Sequence, residues 1–187
     1  MIQANIITWN VQGAGSGDFL RVLKELIRLY DPKVLALFET KISGQQAEDV
    51  CNKIGFNGQV RVEAQGFRGG VWLLWRDYNV DINIINLDER AITAEVCKLG
   101  SCPWYFTAVY GIPNDILCHQ LWVKLAHFNT IFDKPWLLAG DFNDTVSRGE
   151  RQGCSPQLER RCNCFNNWLH NNGFVDLGFI GPPFHLG

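Results

Sequence analysis

The sequence has no long hydrophobic run, no strong charge of either sign and no cysteine spacing suited to a metal, and each absence excludes a class of protein. No apolar stretch approaches the roughly 20 residues that a membrane-spanning helix requires. Seventeen Lys and Arg against nineteen Asp and Glu leave a formal charge of −2. That balance excludes bulk electrostatic attachment to nucleic acid and leaves room only for a local basic patch. The seven cysteines, at 51, 97, 102, 118, 154, 162 and 164, are odd in number, and Cys162-Asn-Cys164 is tighter than paired zinc-ligand spacings. They read as buried or idle thiols in a reducing compartment. Met1 to Asn10 carries no basic segment ahead of a long apolar one, so a nuclear or cytoplasmic, non-secreted protein is expected. Repeats, low-complexity tracts and linkers are also missing, which makes one domain over residues 1–187 the economical expectation.

What the chain does hold is apolar and aromatic. A 47% apolar content with seven Trp and twelve Phe suits a large packed core. The most informative stretch is Trp136-Leu-Leu-Ala-Gly-Asp-Phe-Asn143, an apolar run of strand length that ends at a glycine and is followed by Asp141 and Asn143. In an extended chain, residues two apart point to one face. A carboxylate and an amide would then leave the strand end together, suited to a metal-activated water and a phosphate oxygen. The competing reading is an Asx turn that merely closes the strand.

Other strand ends carry similar chemistry. Ala4–Trp9 reads as a strand that delivers Asn10, and the glycines at 13, 15 and 17 beyond it lack the spacing of a dinucleotide fingerprint. A helix follows from Asp18, its candidate cap, to an Asp31-Pro32 stop. Val34–Phe38 reads as a strand buried on both faces, with Glu39 directly after it. A short helix is expected over Gln45–Ile54, with Gly55 as its stop. Gly69–Trp75, Val80–Leu87, Ala91–Leu99 and Trp104–Tyr110 read as four successive strands of one inserted antiparallel sheet, the last placing Tyr110 at a strand end. Asp115–Phe132 is helical, with His119 as an ordinary surface or satisfied histidine. Arg148, Arg151, Arg160 and Arg161 against Glu150 and Glu159 form a locally basic stretch, read as a solvated loop and helix start rather than a phosphate contact. Ser155-Pro156 suits the start of a helix that runs to Asn171-Asn-Gly173, and Phe174–Leu177 suits a short strand.

Asn10, Glu39, Tyr110, Asp141 and Asn143 thus all fall at or just after strand ends. Oxygen ligands for a hard cation, with amide and phenol donors for phosphate oxygens, make up the chemical set of phosphodiester hydrolysis.

On Thr8-Trp-Asn-Val-Gln-Gly13, Phe38-Glu-Thr40, Gly69-Gly-Val71, Val109-Tyr-Gly-Ile-Pro113 and Gly140-Asp-Phe-Asn143, in that order, the chain resembles the endonuclease/exonuclease/phosphatase superfamily. Gly70-Val-Trp-Leu-Leu-Trp75 and the Asp176–Phe184 tail resemble, more narrowly, endonuclease domains of plant non-LTR (LINE-type) retrotransposons. The resemblance implies a DNase I-like α/β sandwich of two mostly antiparallel sheets flanked by helices. It implies that Glu39 binds Mg2+ or Mn2+ with Asn10 beside it. Asp141 would orient or activate the attacking water, Asn143 would hold a phosphate oxygen, and Tyr110 would contact the phosphate as charge builds. Duplex DNA is the implied partner. Relatives of this kind end in a Ser-Asp-His motif, which these 187 residues do not contain; His185 lies in a different context. A domain lacking its C-terminal strands, with impaired activity, is therefore expected. Three readings stay open: a DNA-nicking enzyme, a non-catalytic relic, and a small-molecule phosphatase of the inositol type.

Overall fold

The computed structural model describes residues 5–76, 80–98, 100–111, 114–146, 156–178 and 180. Arg148, Arg151, Ser155, Cys154, His185 and most of the Asp176–Phe184 tail lie outside the described residues. The chain forms two compact units, Met1–Tyr110 with Phe132–Asp141, and Gly111–Ile131 with Phe142–Gly187.

The first unit contains β1 (Ile6–Asn10), α1 (Gly17–Tyr30), β2 (Val34–Phe38), α2 (Gly44–Ile54), β3 (Gly58–Val62), β4 (Val71–Trp75), β5 (Val80–Asp88), β6 (Ala91–Lys98), β7 (Trp104–Tyr110) and β8 (Trp136–Asp141). They build two four-stranded sheets, ordered β1-β2-β4-β3 and β5-β6-β7-β8. Each sheet has one parallel pair, β1 with β2 and β7 with β8, and is otherwise antiparallel.

The expected single sheet from residue 69 to 110 is corrected here. β4 pairs with β2 and β3 in the first sheet, whereas β5, β6 and β7 belong to the second. Contiguous strand signals carry no mark of the point where the chain changes sheets. The partner that holds β4 in the first sheet, β3, is a strand the sequence reading passed over. Its Val60 and Val62 face the core while Gln59 and Arg61 alternate with them, a short period-2 signal weakened by Gly58.

β2 is the unit's central strand. Val34, Ala36 and Phe38 enter the core between the sheets, with Val71, Leu73, Ile92, Ala94, Phe106 and Ala108. Leu35 and Leu37 point the other way, into a helix layer with Phe19 and Leu23 of α1 and Ala47, Val50 and Ile54 of α2. All five strand residues are buried, as the unbroken apolar run implied. Burial of each leucine contributes about 1.5–3 kcal/mol.

α1 is capped by Ser16, whose Oγ accepts the Phe19 N–H at 3.1 Å. Asp18, the residue the sequence pointed to, lies in the first turn instead, where its charge still suits the helix dipole. Asp31 ends the helix in a left-handed conformation.

The second unit contains α3 (Asp115–Ile131) and α4 (Pro156–Asn171). Trp122 is its aromatic hub, 5.1 Å from Phe165, 4.9 Å from Trp168 and 6.0 Å from Phe142 between ring centroids. His119 is exposed, as expected. The strand expected over Phe174–Leu177 does not form. Gly178 donates back to Asp176 Oδ1 in an Asx turn, and Val175 and Leu177 stay 81% and 82% exposed. Cysteines 51, 97, 102, 118, 162 and 164 all carry free thiols. Among the described residues no helix is long and apolar enough to cross a membrane.

Candidate active site

The parallel pairs decide where the polar residues gather. In register, Asn10 of β1 stands beside Phe38 of β2, so Glu39 is the next residue on the neighbouring strand. In the second sheet Tyr110 of β7 pairs with Asp141 of β8. Parallel neighbours end at the same edge, so each sheet presents two strand ends together.

Two hydrogen bonds then join one sheet to the other. Asn10 Nδ2 donates to Asp141 Oδ2 at 2.7 Å, and Tyr110 O–H donates to Glu39 Oε1 at 2.6 Å. The Tyr110 ring lies stacked against Phe38, with centroids 6.3 Å apart. Four of the five residues singled out from sequence, Asn10, Glu39, Tyr110 and Asp141, are therefore brought together in the first unit.

Asn143 belongs to the second unit. The extended alternation that suggested a shared face with Asp141 ends at Asp141, because Asn143 has a left-handed backbone with φ +52°. Its side-chain amide donates to the Gly111 carbonyl at 2.9 Å.

The backbone around Glu39 is held against its own preferences. Glu39 and Lys41 both adopt positive φ, +54° and +56°, on either side of a fully buried Thr40. Such conformations cost on the order of 1–3 kcal/mol each and persist only where neighbours enforce them. Here the Gly70 and Gly69 carbonyls accept the N–H groups of Thr40 and Lys41, and the Thr40 carbonyl accepts Ala14 N–H at 2.8 Å. Gly70 has φ +90°, and a Cβ there would sit 2.2 Å from Thr40 Oγ1. On the opposite sheet, a Cβ on Gly140 would lie 2.0 Å from the Val109 carbonyl oxygen. Only glycine lets β8 approach β7 closely enough to bring Asp141 alongside Tyr110.

Lys41 was not singled out from sequence. Its Nζ lies 3.0 Å from Glu39 Oε2. The signal that could have found it is its spacing: two residues after Glu39, on the far side of a buried threonine. Partial burial pushes the Glu39 carboxyl up, but hydrogen bonds from Tyr110 and Lys41, the Lys41 charge and Asn10 outweigh it and hold the group below its ordinary range. Burial first, and then the bond to Glu39, push the Tyr110 phenol well above its ordinary value, so it stays a donor.

The donors are hard: one glutamate carboxylate, one aspartate carboxylate and one carboxamide. Among the described residues no group of three or more His, Cys, Asp or Glu surrounds a common point. That set does not fit a thiolate or imidazole cage of the zinc kind, but it fits a hard, magnesium-like cation, which takes one or two carboxylates and completes its shell with water and substrate oxygens.

The sequence model of the Endonuclease/Exonuclease/phosphatase family matches residues 7–184. Solved structures share the fold. The AP endonuclease LMAP from Leishmania major is 16% identical with a TM-score of 0.66, over 89% of this chain and 66% of that one. The endonuclease domain of TRAS1, a telomere-specific non-LTR retrotransposon, is 10% identical with a TM-score of 0.64, over 90% of this chain and 70% of that one. A variant of the 3′ phosphatase NExo from Neisseria, bound to a product DNA hairpin, is 19% identical with a TM-score of 0.62, over 91% and 70%. The chain thus spans about two thirds of the length of these proteins, and what it shares with them is the DNase I-like α/β sandwich. No curated protein sequence matches it.

Proposed function

The chain belongs to the endonuclease/exonuclease/phosphatase family, and we propose that it is a metal-dependent phosphodiester hydrolase that nicks duplex DNA and derives from a non-LTR retrotransposon. The observation that carries this reading is the pair of hydrogen bonds between the sheets, Asn10 to Asp141 and Tyr110 to Glu39. They gather a charged carboxylate, a second carboxylate, an amide and a protonated phenol.

Glu39, with Asn10 beside it, would hold Mg2+ or Mn2+, which when bound supplies positive charge to the phosphate oxygens. Asp141, fixed by the Asn10 amide, orients the attacking water and accepts its proton. Tyr110 donates its hydrogen bond where negative charge grows on the phosphate, and its raised pKa keeps that proton in place. Asn143 holds a phosphate oxygen. The retrotransposon origin is supported by the Gly70–Trp75 motif and by the likeness to the TRAS1 endonuclease domain.

A plasmid-nicking assay tests the reading. Folded protein is expected to convert supercoiled DNA to the open circle only with Mg2+ or Mn2+, and Asp141→Ala is expected to lose about 10² to 10⁴ in rate. Absence of metal-dependent nicking by folded wild type would overturn the hydrolase reading and leave the second reading, a non-catalytic chain. Strong competition by inositol phosphates would instead move the substrate to small phosphoesters.

A further inference from the structure

One buried ion pair in the second unit has no part in the chemistry above. The Asp144 side chain is 5% exposed and that of Arg161 12%. Arg161 was read from sequence as part of a solvated basic stretch; of the two arginines of that stretch among the described residues, Arg160 is exposed and Arg161 is not. A buried ion pair is a weak source of stability, because removing both charges from water costs several kcal/mol per ion. The contacts this pair makes converge on Asn143.

Arg161 Nε donates to Asp144 Oδ1 at 3.1 Å, and its Nη2 reaches the same oxygen at 3.0 Å and the Asn143 carbonyl at 3.2 Å. Asp144 Oδ2 accepts the Cys118 thiol of α3 at 3.1 Å. On the other side of Asn143, the Phe142 ring packs 5.5 Å from Phe165 and 6.0 Å from Trp122. A Cβ on Gly111 would lie 2.0 Å from the Phe142 carbonyl oxygen, so the two backbones are in contact. The residue between these anchors is the one with a left-handed backbone, a conformation that residues bearing a Cβ adopt rarely and asparagine more readily than most, so its neighbours decide whether it is held there.

We infer that Arg161 is a positioning residue: by bridging the Asn143 carbonyl and the Asp144 carboxylate it holds Asn143 in its left-handed conformation and thereby aims the Asn143 amide. The inference rests on the hydrolase reading for the use of that amide, though not for the geometry. A planar guanidinium can meet two acceptors in fixed directions, which a lysine ammonium cannot, so Lys is the diagnostic replacement.

The test is a double-mutant cycle with the full chain and plasmid DNA. Arg161→Lys is expected to lower kcat about 10- to 100-fold with KM little changed. On an Asn143→Ala background the same substitution is expected to cost nothing further. Wild-type kcat in Arg161→Lys, an independent multiplicative loss on Asn143→Ala, or full activity of Asn143→Ala would each overturn the inference. A purely structural role would lower the melting temperature and kcat alike on both backgrounds. If the wild type does not nick DNA, the hydrolase reading fails, and 15N–1H spectra still decide the geometry. The Asn143 backbone and side-chain amide signals are expected to shift and broaden in Arg161→Lys while those of Asn10 stay put. Unchanged Asn143 signals would overturn the inference. Asp144→Asn, which removes the charge and keeps the shape, is expected to give the same spectrum and serves if Arg161→Lys does not fold.

Discussion

Asn10 uses both halves of its side-chain amide at once: Oδ1 accepts Gln12 N–H at 3.2 Å, and Nδ2 donates to Asp141. The turn-forming and the chemical readings of a polar strand end are therefore not rivals at this residue, because the local turn orients the group that reaches across. The same economy makes Gly70 critical. Gly70→Ala would place a methyl group against Thr40 at a positive φ, and is expected to cost about 2–4 kcal/mol in urea unfolding. A loss under 1 kcal/mol would mean that the Glu39 turn yields easily. Glu39 also sets a pH dependence. Its folded pKa is depressed, so its contribution is complete above the ordinary value of 4.5 and is lost as pH falls through the folded value. Urea midpoints followed from about pH 6 to about pH 3 are expected to fall less steeply in Glu39→Gln than in wild type; equal slopes would remove Glu39 from the acid response. Asn10, Glu39, Tyr110 and Asp141 were legible in the sequence because a strand end is a local pattern. Arg161 was misread because its partner, Asp144, lies on a distant segment, and no local pattern separates a buried arginine from a solvated one.

At the scale of elements, local signals fared best where they were strong. The unbroken run in β2 gave the strand and its burial, and the signals for α1 gave the helix, in which Phe19 and Leu23 are buried while Val22 and Tyr30 stay exposed. The cap of α1 is a closer case. Ser16→Ala is expected to lose about 1 kcal/mol, since it removes the acceptor for Phe19 N–H. Asp18→Ala is expected to lose only a few tenths, the worth of an exposed charge near a helix start. Chemical denaturation of the two variants separates the roles, and a larger loss at Asp18 would reverse them. The expected strand at 174–177 failed for a reason no local pattern holds. Among the described residues no strand pairs with it, and an alternating apolar segment without a partner stays exposed.

For the whole molecule, sequence spacing could not say that the strands from residue 71 to 110 divide between two sheets, since pairing is a long-range choice made by the core. That division is what brings the candidate site together: two strand ends from each sheet, joined by two hydrogen bonds. A cation held there would bind only the folded chain and so stabilise it. At a free Mg2+ concentration about ten times its Kd, stabilisation of about 1.4 kcal/mol is expected, or roughly 3–6 °C in melting temperature. Glu39→Gln is expected to abolish the shift. A shift that survives Glu39→Gln would place the cation elsewhere.

The bond from Asn10 to Asp141 closes a loop of 131 residues, and that length has a meaning in time. At a synthesis rate of about 5–20 residues per second, roughly 7–26 s separate the appearance of the two partners on the ribosome. β1, β2, α1 and α2 can dock while β8 has yet to be made. The residues of the helix layer are therefore all made well before Asp141, and a ribosome stalled ahead of β8 would carry Asn10, Glu39 and Tyr110 of the candidate site without their fourth member.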